Sequence, residues 1–342
     1  MWMIRAAVAV VALGVSGAFV PWDAAYLLTP GAASVAEEVK AAPGHGMDGM
    51  IVYVDQGGKA PELYAAGWKD RQAKIPADPH ALFKIASISK LYIAAAAAKL
   101  VAAHRVSLDD SLARLLPEVA GHIRNADKIT LRMLLRHRSG IPNVIDAKGF
   151  RWDRATDVDA VLRLVEDRPA DFAPDARYAY SNSNYLLVGK ILDRVLGGSH
   201  RDYIAAEILR PLGLRHTFGL YRDVAPGEVA SGYVEGMDAD MKPMDYALPG
   251  GSMVATADDV GVFVRALNDG RVFTPDERAV YASVYEYGHT GLLPGYESIA
   301  RYDKASDTVV VVFVSTSGGN AWMKIEGEYG RIVKILYKRH SG

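Results

Sequence analysis

The hydrophobic pattern of this chain changes its period twice, and that change limits the possible folds more than any other feature. Segments with a strand pattern occur near both ends of the chain: 50–55, 63–68, 281–287, 297–303 and 308–315. Between them the apolar residues recur at helical spacing, and the strand spacing does not fit a series of βαβ units. We therefore predict an α+β fold. A mixed, mainly antiparallel sheet is built from both chain termini and flanked by helices, with an all-helical region inserted between them.

The helical pattern divides the chain further. A short helical stretch precedes the first strand and a last amphipathic helix closes the chain, at about 36–41 and 321–338. Helices are also predicted at 87–104, 108–116, 131–137, 157–167, 184–196, 201–209 and 257–268. The predicted domains are a leader and linker (1–35), a sheet domain (36–84 with 250–342) and a helical domain (85–249), with the active site in the cleft between the last two.

The composition excludes several classes of function. The formal net charge of the 342 residues is −1, so no basic surface is indicated that would neutralise nucleic-acid phosphates. The chain has no cysteine, and its nine histidines show no metal-ligand spacing, so we predict no metal and no cofactor. The segment 44–49 matches G-x-G-x-x-G, but it precedes a strand instead of following one, which indicates a turn and not a nucleotide site.

The first residues resemble a targeting segment. A short positive start is followed by an uncharged apolar run, Ala6 to Val20, which is shorter than the ~20 residues that a membrane-spanning helix needs. Two interpretations remain: a cleaved export signal, or an uncleaved anchor with aromatic residues at the membrane interfaces. A buried N-terminal helix is the alternative. Export to the periplasm or the exterior is favoured, with membrane association through residues 1–28.

A serine and a lysine stand three residues apart at the front of an apolar, helix-forming run, FKIASISKLYIAAAAA (83–98). The simplest interpretation is an N-cap serine, Ser87, and a lysine, Lys90, whose ammonium reaches solvent. Residues three apart, however, share one helix face. A helix N-terminus and an apolar setting both lower a lysine pKa from its usual ~10.4. A neutral amine beside a hydroxyl is an arrangement that activates a serine nucleophile.

Two further motifs are weak indications of a functional site when each is taken alone. Tyr180-Ser181-Asn182 precedes an amphipathic helix, and is either a capping turn or a loop that points Tyr180 and Asn182 into a cleft. Gly288-His289-Thr290-Gly291 is predicted at the end of a strand, where two glycines would permit close approach of a substrate backbone. An ordinary strand end with one exposed histidine is the alternative there.

The three motifs occur in the order S-x-x-K, Y-x-N, H-x-G. In this order they resemble those of the serine β-lactamase and penicillin-binding protein superfamily, in particular its branch of class C β-lactamases, D,D-peptidases and related esterases. The resemblance covers the chain from about Ala36 to Ser315. Five longer segments, two of which contain the Y-x-N and H-x-G motifs, resemble the family as well: ITLRMLLRHRSGIP (129–142), YSNSNYLLVGKIL (180–192), RPLGLRHTF (210–218), GGSMVATADDV (250–260) and GHTGLLPGY (288–296).

The resemblance implies a role for each motif residue. Ser87 would be the nucleophile that forms an acyl-enzyme, while Lys90 and Tyr180 would share the proton transfers, in an order that the sequence leaves open. Asn182 would bind the acyl side chain or steady Lys90. The oxyanion hole would use the backbone N–H groups of Ser87 and of Leu292. The remaining implied site residues line the substrate-facing strand: His289, Thr290 and Gly291.

Two positions depart from the β-lactamase pattern. His289 stands where class C β-lactamases have lysine, and a histidine with a pKa of ~6.5 is mostly neutral at pH 7. Leu292 replaces a residue that is Ser or Thr in many penicillin-recognising members. Both changes weaken binding of a β-lactam carboxylate. The expected function is therefore a serine acyl-hydrolase acting on small-molecule or peptide amides or esters, with D,D-peptidase-like, esterase-like or weak β-lactamase activity. A non-enzymatic penicillin sensor or scaffold is the alternative.

Overall fold

The computed structural model describes residues 31–341. Its strands are β1 Gly49–Gln56, β2 Glu62–Asp70, β3 Ile75–Pro76, β4 Phe83–Lys84, β5 Thr217–Phe218, β6 Tyr233–Val234, β7 Val254–Ala255, β8 His289–Leu293, β9 Tyr296–Asp303, β10 Thr308–Val314 and β11 Thr316–Ser317. Its helices are α1 Val35–Ala41, α2 Ser89–Ala102, α3 Leu112–Leu115, α4 Leu131–Leu135, α5 Val158–Leu162, α6 Asn182–Leu196, α7 His200–Ile204, α8 Ala257–Asp269, α9 Pro275–Val284 and α10 Ala321–Ser341.

The main sheet has six strands in the order β3-β2-β1-β10-β9-β8, and every neighbouring pair is antiparallel. Its two central strands come from opposite ends of the chain, and Met50 of β1 pairs with Val314 of β10. Both central strands are buried along their whole length, as the β-branched run of β10 favours. The predicted α+β fold with a sheet built from both termini is confirmed.

Helices cover both faces of this sheet. The face formed by residues such as Tyr53 and Val311 packs into the larger hydrophobic core together with α2 and α8. The opposite face, with Val52 and Val312, packs against α1 and α10 in a second core. This alternation of neighbouring residues between the two cores follows from the period of two in a strand. The arrangement fixes the edge strand β8 beside the 3-10 turn Ala86–Ile88, directly before α2, where Ser87 lies.

One predicted strand is wrong. The segment 281–287 contains the end of helix α9, and the strand that carries the H-x-G motif begins only at His289. The sequence contains a signal for the helix, because Thr274 and Glu277 form a reciprocal capping box around Pro275 at the first helical position. The helix predicted at 87–104 begins at Ser89, and several short helices are shorter than predicted.

The predicted leader falls on residues that are almost all outside the described part of the chain, so its fate stays a prediction. Among residues 31–341, no helix combines the length and apolar character that a bilayer crossing requires. The predicted division into a sheet domain and a helical domain likewise stays a prediction.

Candidate active site

The turn that carries Ser87 links strand β4 to helix α2. Residues Ala86–Ile88 form one turn of 3-10 helix, and Ala86 has a φ of 50°, in the left-handed region that residues other than glycine seldom adopt. From Ala81 to Lys90, every residue except Ser87 is buried. The turn therefore presents one hydroxyl from an otherwise buried segment.

Lys90 is fully buried one residue into α2 and forms no ion pair with any described carboxylate. Its Nζ lies 3.0 Å from Ser87 Oγ, 3.0 Å from Asn182 Oδ1 and 2.8 Å from the carbonyl oxygen of Gly250. Burial removes the hydration of the ammonium form and lowers the pKa of Lys90 to about 7. A large part of the population thus carries a neutral amine at neutral pH.

The three contacts fix how a neutral Lys90 amine is oriented. An amide oxygen and a peptide carbonyl only accept hydrogen bonds, so the two N–H bonds of the amine point at Asn182 and Gly250. Its single lone pair is left facing the hydroxyl of Ser87. This is the orientation in which the amine accepts the serine proton.

Tyr180 approaches the same hydroxyl from another side. Its O–H donates to Ser87 Oγ at 2.9 Å, and the Lys90 Nζ lies 5.1 Å from the centre of the Tyr180 ring. Burial raises the pKa of Tyr180 above its usual value, since the phenolate would lose its hydration. Tyr180 is therefore a neutral donor beside the nucleophile.

Asn182 opens helix α6 and turns its oxygen toward Lys90 because of a residue that the motif search missed. Asn143 Oδ1 accepts the backbone N–H of Asn182 at 2.9 Å, and its own Nδ2 donates to Asp146. The Asn182 side chain also reaches Asn143 Oδ1, at 3.3 Å, and must present Nδ2 to it. The Oδ1 atom of Asn182 is thereby assigned to Lys90.

Gly250 is the second contributor that the motifs did not indicate. It has a φ of 81°, and a Cβ placed on it would lie 2.9 Å from Tyr185 Cβ and 3.2 Å from Lys90 Cγ. Only glycine fits a backbone that passes so close to the lysine. The segment GGSMVATADDV contained this glycine, but its carbonyl contact depends on long-range packing.

The H-x-G residues start the edge strand β8 instead of ending a strand as predicted. His289 is buried, stacks on Tyr285 with ring centres 5.8 Å apart, and contacts the Thr290 carbonyl through Nδ1. Burial, and then the nearby Lys90, lower the pKa of His289 to about 3. The histidine is therefore neutral at pH 7, as expected, and more firmly so than an exposed imidazole.

Gly291 lies where β8 touches the turn of the nucleophile. A Cβ at this position would lie 2.4 Å from Ser298 Oγ, 2.5 Å from the Ile85 carbonyl and 3.0 Å from Ala86 Cβ. The glycine thus permits the edge strand to approach the Ser87 turn. Thr290 is half-buried beside it, and Leu292 is exposed at 43%, next to the open edge of the sheet.

Replacing Gly291 with alanine is expected to lower the free energy of unfolding by about 1–3 kcal/mol, because the added methyl group overpacks this contact. Acylation of Ser87 should slow as well, since β8 moves away from the turn. Chemical denaturation and labelling kinetics measure the two effects. Gly330→Ala is the matched control. Gly330 is an exposed helix position with free space around it, so this change should stabilise by about 0.5–1 kcal/mol. Unchanged stability and labelling in Gly291→Ala would contradict the prediction.

The structure therefore brings the S-x-x-K, Y-x-N and H-x-G motifs to one place. Ser87, Lys90, Tyr180 and Asn182 are joined by direct hydrogen bonds. The ring centre of His289 lies 6.2 Å from that of Tyr180. Among residues 31–341, no group of three or more His, Cys, Asp or Glu side chains is placed to hold a metal ion.

Three comparisons with known proteins show what this chain is similar to. The family model for β-lactamase matches residues 33–332. PbpX of Bacillus subtilis (strain 168) is 26% identical over 266 residues, which are 72% of this chain and 65% of PbpX, so the match spans less than two thirds of that relative.

Two solved structures show the same fold. One is the D-amino acid amidase from Ochrobactrum anthropi SV3 complexed with L-phenylalanine amide, with a TM-score of 0.79, 22% identity, and coverage of 89% of this chain and 98% of the amidase. The class C β-lactamase from Rhodobacter sphaeroides has a TM-score of 0.69, 21% identity, and coverage of 91% and 100%. Because the family model matches most of the chain, the chain belongs to the β-lactamase family.

Proposed function

We propose that this protein is a serine acyl-hydrolase that cleaves amides or esters through an acyl-enzyme on Ser87. The observation that carries the proposal is that Ser87 Oγ contacts both Lys90 Nζ, at 3.0 Å, and the Tyr180 hydroxyl, at 2.9 Å. A nucleophile within hydrogen-bond reach of a base, which is itself oriented by Asn182 and Gly250, is the arrangement that activates a serine.

In acylation, neutral Lys90 accepts the Ser87 proton as Oγ attacks the carbonyl carbon. The tetrahedral intermediate then collapses, and the bond to the leaving amine or alcohol breaks. Tyr180 gives its proton to that leaving group, and the proton held on Lys90 returns to the tyrosine, so that both side chains are restored. The buried, neutral state of Tyr180 supports the role of donor.

Deacylation uses the same groups in reverse order. Water takes the place of the leaving group beside Tyr180 and Lys90, loses a proton to this pair, and attacks the acyl carbon. The ester bond to Ser87 then breaks and Oγ regains a proton. The N–H groups of Ser87 and Leu292 are proposed to stabilise the oxyanion in both halves of the reaction. Ser87 lies in the first turn of its helix, where a backbone N–H has no acceptor within that helix.

The charges at the site support uncharged acyl groups as substrates. His289 is neutral where a class C β-lactamase has lysine, and Leu292 offers no hydroxyl. A substrate carboxylate would therefore find no fixed cation from these two residues. The likeness to a D-amino acid amidase supports the inclusion of amides of D-amino acids among the candidates.

Labelling with a fluorophosphonate probe and with a fluorescent penicillin tests the proposal. Wild type should react with the fluorophosphonate, and Ser87→Ala should not. Hydrolysis is then measured on short p-nitrophenyl esters, on D- and L-phenylalanine amide and on a chromogenic β-lactam. Turnover of an ester or amide, with slow turnover of the β-lactam, is the expected result.

Two outcomes would count against this function. If wild type takes up neither label, Ser87 is not an activated nucleophile. Stable labelling by penicillin without turnover of any ester or amide would favour the penicillin sensor over the enzyme.

A further inference from the structure

A buried histidine outside the three motifs contacts the chain on both sides of Tyr180. His137 follows helix α4, has a φ of 54° and is 2% exposed. Its backbone carbonyl accepts the N–H of Ala179 at 2.9 Å, and its ring Nδ1 accepts the N–H of Ser181 at 3.2 Å. Both chain neighbours of Tyr180 are thus hydrogen-bonded to His137.

The ring of His137 also packs on the ring of Tyr180. The two ring centres are 4.4 Å apart and the planes are tilted by 31°. Because the ring is enclosed, burial lowers the pKa of His137 well below its usual value, and the neighbouring Lys90 and His289 lower it further. The imidazole is therefore neutral, and an unprotonated Nδ1 is available as an acceptor.

Polar neighbours fix the tautomer of this imidazole. Ser181 N–H donates to Nδ1, which places the ring proton on Nε2. Asn184 Nδ2 lies 3.3 Å from the same Nδ1, and the Asn184 oxygen is occupied by the Ser139 hydroxyl at 2.6 Å. Two N–H donors therefore converge on one ring nitrogen, so the imidazole is held in one orientation against Tyr180.

We propose that His137 is a positioning residue for catalysis, which holds the Tyr180 hydroxyl on Ser87 through the Ala179 and Ser181 hydrogen bonds and the ring contact. The inference rests on the proposed function, because it assigns to Tyr180 a part in acyl transfer. His137 does not touch Ser87 within the contacts described, and acts on the reaction through the tyrosine.

His137→Phe and His137→Asn separate the two contributions of the side chain. Phenylalanine keeps a flat ring and removes the acceptor, whereas asparagine keeps an acceptor oxygen near Nδ1 and tolerates a positive φ. His137→Phe should slow fluorophosphonate acylation of Ser87 by roughly 10- to 100-fold, the effect of displacing a reacting group by about 1 Å. His137→Asn should recover most of that loss.

His104 provides the matched control. It also has a φ of 54°, but it is exposed and follows the C-terminal end of α2, the end opposite to Ser87. His104→Phe and His104→Asn carry the same backbone cost and should acylate within about twofold of wild type. Equal losses at both positions would assign the effect to backbone strain and overturn the proposal.

A double-mutant cycle with Tyr180→Phe tests whether His137 acts through the tyrosine. Once the hydroxyl is absent, adding His137→Phe should slow acylation by less than about twofold. If the full loss persists in the Tyr180→Phe background, His137 acts elsewhere and the proposal fails.

Hydrogen exchange of peptides covering residues 178–184 tests whether His137 holds this loop, independently of whether Ser87 performs the proposed reaction. The Ser181 N–H should exchange faster in His137→Phe than in wild type or in His104→Phe, whether or not any substrate is turned over. Unchanged exchange together with unchanged acylation would refute the positioning role. If exchange is faster in His137→Phe but no probe labels the wild type, His137 holds the loop without a part in catalysis. That result would reject the proposed function instead.

Discussion

Replacing Lys90 with methionine is expected to slow acylation of Ser87 by roughly 10²- to 10⁴-fold, because general-base catalysis by a positioned side chain has about this magnitude. Methionine has a similar length and is apolar, so it fits the buried space at Lys90. The serine then keeps only the Tyr180 contact, in which the tyrosine is the donor. Stopped-flow or gel-based kinetics with a fluorophosphonate measure the rate constant directly.

Lys99→Met is the control for this variant. Lys99 lies on the same helix, is also largely buried, and pairs with Glu277 at 3.1 Å instead of with the nucleophile. Its replacement should leave the acylation rate constant within about twofold of wild type. If Lys90→Met acylates within tenfold of the wild-type rate and its circular dichroism is unchanged, Lys90 has only a structural role and Tyr180 is the base.

The second large effect is a dependence on pH that follows from the buried amine. The pKa of Lys90 is lowered to about 7, so its base form is lost as the pH falls below that value. Acylation should therefore decrease about tenfold for each pH unit below 7. The pKa of His289, about 3, lies far below this range, and the raised pKa of Tyr180 lies above it. A rate that stays constant from pH 7 to pH 5 would exclude neutral Lys90 as the base.

The same group gives stability a pH dependence of defined sign. The pKa is lower in the folded state than in the unfolded chain, where it is ~10.4. The cost of burying the amine is therefore fully present below pH 7 and disappears as the pH rises toward the unfolded value. Relative to Lys90→Met, wild type should gain roughly 2 kcal/mol in free energy of unfolding between pH 7 and pH 9. Paired urea titrations at the two pH values measure the difference.

Local pattern predicted the strands at both ends and most helices, because period and capping signals are properties of adjacent residues. It failed for helix α9, where the apolar residues after Pro275 resembled a strand and the capping box at Thr274 was overlooked. It also began the regular helix at Ser87, whereas the serine lies in a tight 3-10 turn after the positive φ of Ala86, and the α-helix begins at Ser89. No propensity argument assigns that conformation to an alanine.

The candidate site, like the fold, could be predicted only as far as local sequence allows. Ser87, Lys90, Tyr180 and His289 could be named from residue types and order. The groups that orient them could not, because their contacts join distant segments: the Gly250 carbonyl reaches Lys90, and Asn143 fixes the amide of Asn182. A backbone carbonyl has no side-chain signature, and one asparagine in a loop resembles any other turn residue until the fold brings it near the motif.

The pairing of β1 with β10 constrains the order in which this protein is assembled. During synthesis from the N-terminus, β1 leaves the ribosome long before the partner that will cover its inner edge. Until residues 308–314 have emerged, the apolar strand has only β2 beside it, and the loop that must close spans the whole helical region. Contacts of such long range favour slow, late formation of the sheet. The Ser87 turn, which rests against β8 and β9, therefore reaches its final shape only after nearly the entire chain has been made.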